Sequence, residues 1–310
     1  MFKVVCGRFG IAVAEGYISV KSTIELARVE GERIKAIRPL GDEEVQEING
    51  AMKEIFDFNR HFRLVEYVLH NFTCLKKGVE DSLARFAGSS HTIDCYDLDS
   101  FGHEVNINLL NLMMSARTFL DHMETFIKRE YGKTSEAINL FKRLTAEEFD
   151  SRFSYKFMYK LRNYVQHCGM PPLSYSKSKN FEEYDSYVGI TLMFDRDALI
   201  SGFDGWGSIV KPQLESQDNK FDAFAIIEEF VLSILRIYIR FYDETKFSKT
   251  LEARKQIVEF IEQNDMYFED DYCLLRVSDT DGEKVTFNMS WIPASLFRKM
   301  EHYLSLRDEI

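Results

Sequence analysis

The chain has 310 residues, 45% of them hydrophobic and 14% aromatic, which is enough apolar material for one large domain or two ordinary ones. Its formal net charge of -11 argues against a surface that grips nucleic acid over its whole extent, because non-specific affinity comes from neutralising phosphates. The densest apolar run, Phe221 to Phe241, is interrupted by Asp222, Glu228, Glu229, Arg236 and Arg240, so no membrane span is expected, and the five scattered cysteines show no CxxC pair that would signal disulfides or a thiolate zinc site.

The first forty residues place Val4, Cys6, Ile11, Val13, Ile18, Val20, Ile24 and Leu26 in strand-like alternation around Gly7, Gly10 and Gly16, which predicts short antiparallel strands. Helix is expected from Gly41-Asp42 onward. Residues 43–58 and 62–86 each carry apolar side chains at helical spacing, as in Phe62, Val65, Leu69, Phe72 and Leu75. The polar stretch from Gly88 to Gly102 reads as a loop and a module boundary. His103 to Tyr131 reads as the longest clear helix, stopped by Gly132, and Ser135 to Leu144 as a shorter one. Asp150 or Ser151 is placed to cap the next helix, whose Phe153, Phe157, Leu161, Tyr164 and Val165 face inward before Gly169 and Pro171-Pro172 end it. A strand at Tyr187 to Phe194 follows, then helices at Phe221 to Tyr242 and Ser248 to Gln263. Cys273 to Val277, Asp281-Gly282 and Lys284 to Met289 form a hairpin pattern, and Pro293 to Leu306 is the closing helix. The expected fold is mainly α, with a small N-terminal β segment and a C-terminal α+β appendage, divided at 1–101, 102–247 and 248–310.

The run Lys160-Leu161-Arg162-Asn163-Tyr164-Val165-Gln166-His167 carries the most chemistry in the chain. Arginine offers a planar, permanently charged fork for phosphate oxygens, and histidine titrates near neutral pH and can pass a proton. The segment around them is locally basic: residues 126–179 hold eleven lysines and arginines against five carboxylates, a surplus of six that leaves -17 for the rest of the chain. A solvated helical face with a chance imbalance accounts for that charge equally well. At about 100° per residue, Arg162 and His167 lie roughly 140° apart on one helix, so a single regular helix does not aim both at one atom. Two copies meeting across a two-fold axis could. Asn163, one turn before His167, is placed to orient the imidazole.

An arginine followed after four residues by a histidine, at the end of a helix in an all-helical stretch, resembles the HEPN superfamily, the nucleotide-binding domain of higher eukaryotes and prokaryotes. The polar Asn163 after the arginine fits that family's RNase members, and the resemblance covers residues 102–243. It implies a helical bundle acting as a metal-independent endoribonuclease, in a homodimer with a composite active site at the interface. His167 would assist proton transfer at the ribose 2′-hydroxyl or the leaving 5′-oxygen, Arg162 would stabilise charge on the phosphate, and Asn163 would support them. A 2′,3′-cyclic phosphate product is implied, as is a role as a toxin or antiviral-defence effector with an antitoxin or regulatory partner. No cofactor and no metal is expected, and the expected compartment is the cytoplasm. The competing expectation is a non-catalytic HEPN-like interaction or nucleotide-binding module.

Lys160, Lys156, Arg117 and Asp121 are further candidates for contact with RNA, although Arg117 and Asp121, four apart, also suit a helix-surface ion pair. A histidine in the last turn of a helix has a purely structural use as well, on the C-terminal dipole. His122 and Glu124 flank an apolar stripe. Glu269-Asp270-Asp271 and Asp279-Thr280-Asp281-Gly282 lack the spacing of a calcium loop and suit a hairpin better. Trp206 and Trp291 read as packing anchors. No Gly-rich phosphate loop, Gly-x-Ser-x-Gly elbow or histidine pair at metal spacing appears, which disfavours NTPase, serine hydrolase and zinc hydrolase chemistry.

Overall fold

The computed structural model describes residues 23–31, 33–88, 95–179, 188–268, 270–281 and 284–310. The strands expected from Val4 to Val20 lie outside the described residues. The fold is mainly helical, with a small N-terminal β segment and a C-terminal part of strands and helix. The elements are β1 (Ile24–Glu30), β2 (Arg33–Pro39), α1 (Asp42–Gly88), α2 (Cys95–Glu130), α3 (Glu136–Ser151), α4 (Phe153–His167), β3 (Leu173–Lys179), β4 (Val188–Asp195), α5 (Arg196–Gly202), α6 (Gly207–Glu215), β5 (Lys220–Asp222), α7 (Ala223–Thr245), α8 (Phe247–Gln263), β6 (Asp271–Asp281), β7 (Lys284–Trp291) and α9 (Phe297–Glu309). Among the described residues no helix is long and apolar enough to cross a membrane.

The described residues divide into two compact units, one running to Phe62 and taking in Lys246–Glu309, the other Arg63–Thr245 with Ile310. In the first, the terminal segments that read separately in sequence are joined, because β1 pairs with β6 and the sheet runs in the order β2-β1-β6-β7, all antiparallel. Alternation sends Leu26 and its partner Leu274 to one face and Ala27 with Cys273 to the other. Both pairs are buried, and Val29, Ile34, Phe287 and Met289 pack around the second. The helical part closes over Tyr303, fully buried between Phe58, Phe62 and Phe247 with ring centroids 5.3–6.0 Å away.

The 47 residues of α1 form one helix where two were expected. Asn59 and His61 interrupt the apolar stripe that periodicity follows, yet both are buried, so tertiary burial carries the helix through a polar stretch. The loop expected from Gly88 to Gly102 is also shorter, since α2 begins at Cys95.

The second unit is built on α2, α3, α4 and α7, with the small sheet β3-β4-β5 beside them. Its aromatic centre holds Trp206 against Phe157, ring planes 4° apart at 5.5 Å, while the indole Nε1 donates to Leu199 O at 2.9 Å. Phe194 and Phe221 meet Phe157 edge-on at 5.2 and 5.6 Å. This cluster fixes the inner face of α4. Gly132, at φ 96°, turns the chain after α2, and Ser135 caps α3 by accepting from Ile138 N–H.

Neither Asp150 nor Ser151 caps α4. Both belong to α3, and Ser151 Oγ donates back to Glu147 O at 2.5 Å. The two helices are separated by the single extended residue Arg152, whose side chain makes no cap bond. Lys156 instead reaches back to the end of α3 and donates its Nζ to Asp150 O at 3.1 Å, a cation on a free C-terminal carbonyl.

Candidate functional site

The ends of α4 differ in exposure. From Ser154 to Met158 every residue is buried, whereas from Tyr159 onward only Leu161 and Tyr164 are. At about 100° per residue, Arg162, Gln166, Tyr159, Asn163, His167 and Lys160 follow one another in that order round roughly 160° of the helix. Each is exposed or half-exposed. Arg162 and His167 therefore stand near opposite edges of one accessible face, with Asn163 between them.

Tyr164 anchors this face from behind. It is buried, stacked on Trp206 at 6.1 Å and edge-on to Phe203 at 5.9 Å. Burial, and then the neighbouring Cys168, push its phenol above the usual range. The helix ends as its sequence dictates: Cys168 N–H closes the last turn on Tyr164 O at 2.7 Å, and Gly169 takes φ 113°. A side chain with a Cβ rarely adopts that φ, so glycine is required for the chain to leave the helix there.

Arg162 is half-exposed, and its Nε is buried without a hydrogen-bond partner. None of the ion pairs or side-chain hydrogen bonds among the described residues engages the side chains of Arg162, Lys160 or His167. The bases elsewhere in this segment are used differently. Lys128 pairs with Glu124 at 2.6 Å, Arg143 with Glu147 at 3.7 Å and Glu244 at 3.8 Å, and Arg152 with Glu229 at 3.5 Å. The basic surplus read from sequence is thus partly neutralised by carboxylates of α2, α3 and α7, and the C-terminal half of α4 keeps its cations unpaired.

The remaining candidates divide. Lys156, expected to contact RNA, is 3% exposed and held on Asp150 O, so it is not available to a ligand at the surface. Arg117 and Asp121 form the helix-surface ion pair, with Nε to Oδ2 2.8 Å and Nη2 to Oδ1 2.7 Å. The charge of Arg117 is felt at Tyr155, two turns before Arg162, where burial outweighs it and pushes the phenol well up. Asn163 makes no hydrogen bond to His167 among the described residues, so the expected orientation of the imidazole by Asn163 is not made in the single chain. Trp206 is a packing anchor as expected, and Trp291 is 44% exposed at the end of β7. Glu269 and Gly282, part of the calcium-loop patterns set aside above, lie outside the described residues.

Sequence reading missed a buried polar cluster of the unit. Glu148 of α3 is 6% exposed and accepts both Nε and Nη2 of Arg236 of α7 at 2.9 Å. Arg236 Nη2 also reaches Glu229 at 2.7 Å and Ser233 Oγ at 3.0 Å. The partners are 88 residues apart, and no local pattern announces the pairing. The fork-to-fork geometry fixes α3 against α7 and, through the one-residue joint at Arg152, the start of α4.

Comparison with protein-family models, with curated proteins and with solved structures finds no match to the chain.

Proposed function

We propose that the exposed face of α4 is the phosphodiester-cleaving site of a metal-independent endoribonuclease of HEPN type. The observation that supports this reading is the set of unpaired groups on that face, Arg162, Lys160 and His167, in a chain of net charge -11. An arginine with no internal carboxylate is free for a phosphate, and a surface histidine can exchange protons with a bound ribose.

The reaction is transesterification. The ribose 2′-oxygen attacks the adjacent phosphorus, its proton is taken up, the bond to the 5′-oxygen breaks, and that oxygen gains a proton. The products are a 2′,3′-cyclic phosphate and a 5′-hydroxyl. His167 moves the proton at the 2′- or the 5′-oxygen, and Arg162 stabilises the charge gathering on the phosphoryl oxygens. Lys160, about 100° from Tyr159 around the helix, adds a second cation for the RNA backbone. Because Arg162 and His167 lie about 140° apart on α4, the site is completed in a homodimer in which each chain supplies groups to a shared groove. Restraint of such an activity by an antitoxin or regulatory partner, and a role as a toxin or defence effector, belong to the same proposal.

The test is cleavage of total and transfer RNA by the purified chain in excess EDTA, beside Arg162→Ala and His167→Ala, with product ends examined for cyclic phosphate. Cutting that disappears in both variants is the expected result. A second reading, a non-catalytic module that binds a nucleotide or a partner through the same face, is favoured by one observation, the missing hydrogen bond between Asn163 and His167. Its signature is RNA binding weakened by Arg162→Ala without cleavage by any form.

A further inference from the structure

On the outer surface of α1, His70 and Cys74 are one helical turn apart and in contact, with imidazole Nε2 3.5 Å from Sγ. His70 is exposed, Cys74 is half-exposed, and the thiol is free. We propose that this pair is a bidentate site for a borderline-soft divalent cation of the zinc class, independent of the α4 face.

The distance carries the proposal. Zinc binds thiolate sulfur at about 2.3 Å and imidazole nitrogen at about 2.0–2.1 Å with tetrahedral angles, so two such ligands on one ion lie about 3.5–3.6 Å apart. The thiol and imidazole, in hydrogen-bond contact with each other, stand at the separation that such a bite requires. The i, i+4 spacing on a continuous helix supplies the preorganisation, since residues one turn apart share a face. The neighbouring polar groups do not compete: Asn71 Nδ2 and Thr73 Oγ1 donate to Tyr67 O and Leu69 O, both at 2.9 Å. No third histidine, cysteine or carboxylate completes a cluster of metal ligands among the described residues, so solvent fills the other two positions. Binding displaces the thiol proton, and the pair is neutral imidazole plus thiolate in the bound state.

The experiment is titration of the intact chain with cobalt(II), in a non-chelating reductant, followed by the thiolate-to-cobalt charge-transfer band in the near ultraviolet. The expected result is a band saturating at one cobalt per chain, displaced by zinc(II), absent in Cys74→Ser and with at least tenfold weaker affinity in His70→Ala. Both side chains lie at the surface, and circular dichroism verifies that the variants keep their helix content. Absence of the band in the unaltered chain overturns the proposal. So does its persistence in Cys74→Ser, which would move the thiolate to Cys168 or another cysteine, or an unchanged affinity in His70→Ala.

Discussion

Replacement of Glu148 by alanine should lower the stability of the Arg63–Thr245 unit by several kcal/mol, although the residue is far in sequence from its partner. Glu148 accepts two of the hydrogen bonds of Arg236, and both groups are largely removed from water. Removing one partner of a buried pair costs about 3–5 kcal/mol, because the other charge stays buried without compensation. In Glu148→Ala, Arg236 still reaches Glu229 and Ser233, so the loss belongs at the low end, about 3 kcal/mol. In a unit of this size each kcal/mol moves the melting midpoint by roughly 2–4 °C, giving a fall of about 6–12 °C. Arg236→Ala strips two carboxylates of their shared cation at once and belongs at the upper end, about 5 kcal/mol. Glu148→Leu combined with Arg236→Met should cost less than either single alanine, since neither member of the buried pair is left without the other and the half-exposed Glu229 keeps Arg152.

The assay is calorimetric melting, with the two units free to show separate transitions. Acid supplies an independent arm. Burial raises the Glu148 carboxyl, but the hydrogen bonds from Arg236 and Ser233 and the charges of Arg236 and Arg152 outweigh it and hold the folded pKa below the ordinary 4.5. A carboxylate with a depressed folded pKa stabilises above its unfolded value and loses that contribution as pH falls through the folded value. The gap between the parent chain and Glu148→Ala should therefore be full above pH 4.5 and close progressively below it. A shift within the roughly ±0.5 kcal/mol typical of surface substitutions, or a gap that widens in acid, would mean that the Glu148–Arg236 pair does not stabilise the unit.

Other outcomes follow from single features. Trp206→Ala should cost about 3–5 kcal/mol by opening a cavity against Phe157 and losing the Leu199 bond, read as a lower midpoint in the same transition. Ser135→Ala should cost about 1 kcal/mol through loss of the α3 cap, measurable by denaturant titration with an unchanged m-value. Burial pushes the Cys273 thiol up to about 12, while Cys168 is exposed. Native alkylation near pH 8 followed by peptide mass spectrometry should mark Cys168 first and leave Cys273 unmodified until unfolding; equal rates would count against the buried sheet position. On the α4 face, Lys156→Ala should disturb the junction of α3 and α4, lowering the melting midpoint, whereas Lys160→Ala should leave stability unchanged and weaken RNA binding, with the two effects separated by parallel melting and binding measurements.

By itself the sequence determined the mainly helical class, the chain order of most elements and the place where α4 stops. These are local properties: apolar spacing of 3.6 residues marks a buried helical stripe, and Gly169 with Pro171-Pro172 ends it whatever the rest of the chain does. The chemistry proposed for Arg162 and His167 also rests on residue identity, which the sequence supplies directly. What the tertiary structure alone decided was which groups remain available. Lys156 and Lys160 look alike in sequence, yet one is buried on a carbonyl of α3 and the other stays at the surface. The pairing of β1 with β6, and of Glu148 with Arg236, joins residues separated by long stretches of chain, for which no local pattern exists. The single helix α1 passes through Asn59 and His61 because both are buried there, and burial is a property of the packed chain that no window of sequence contains.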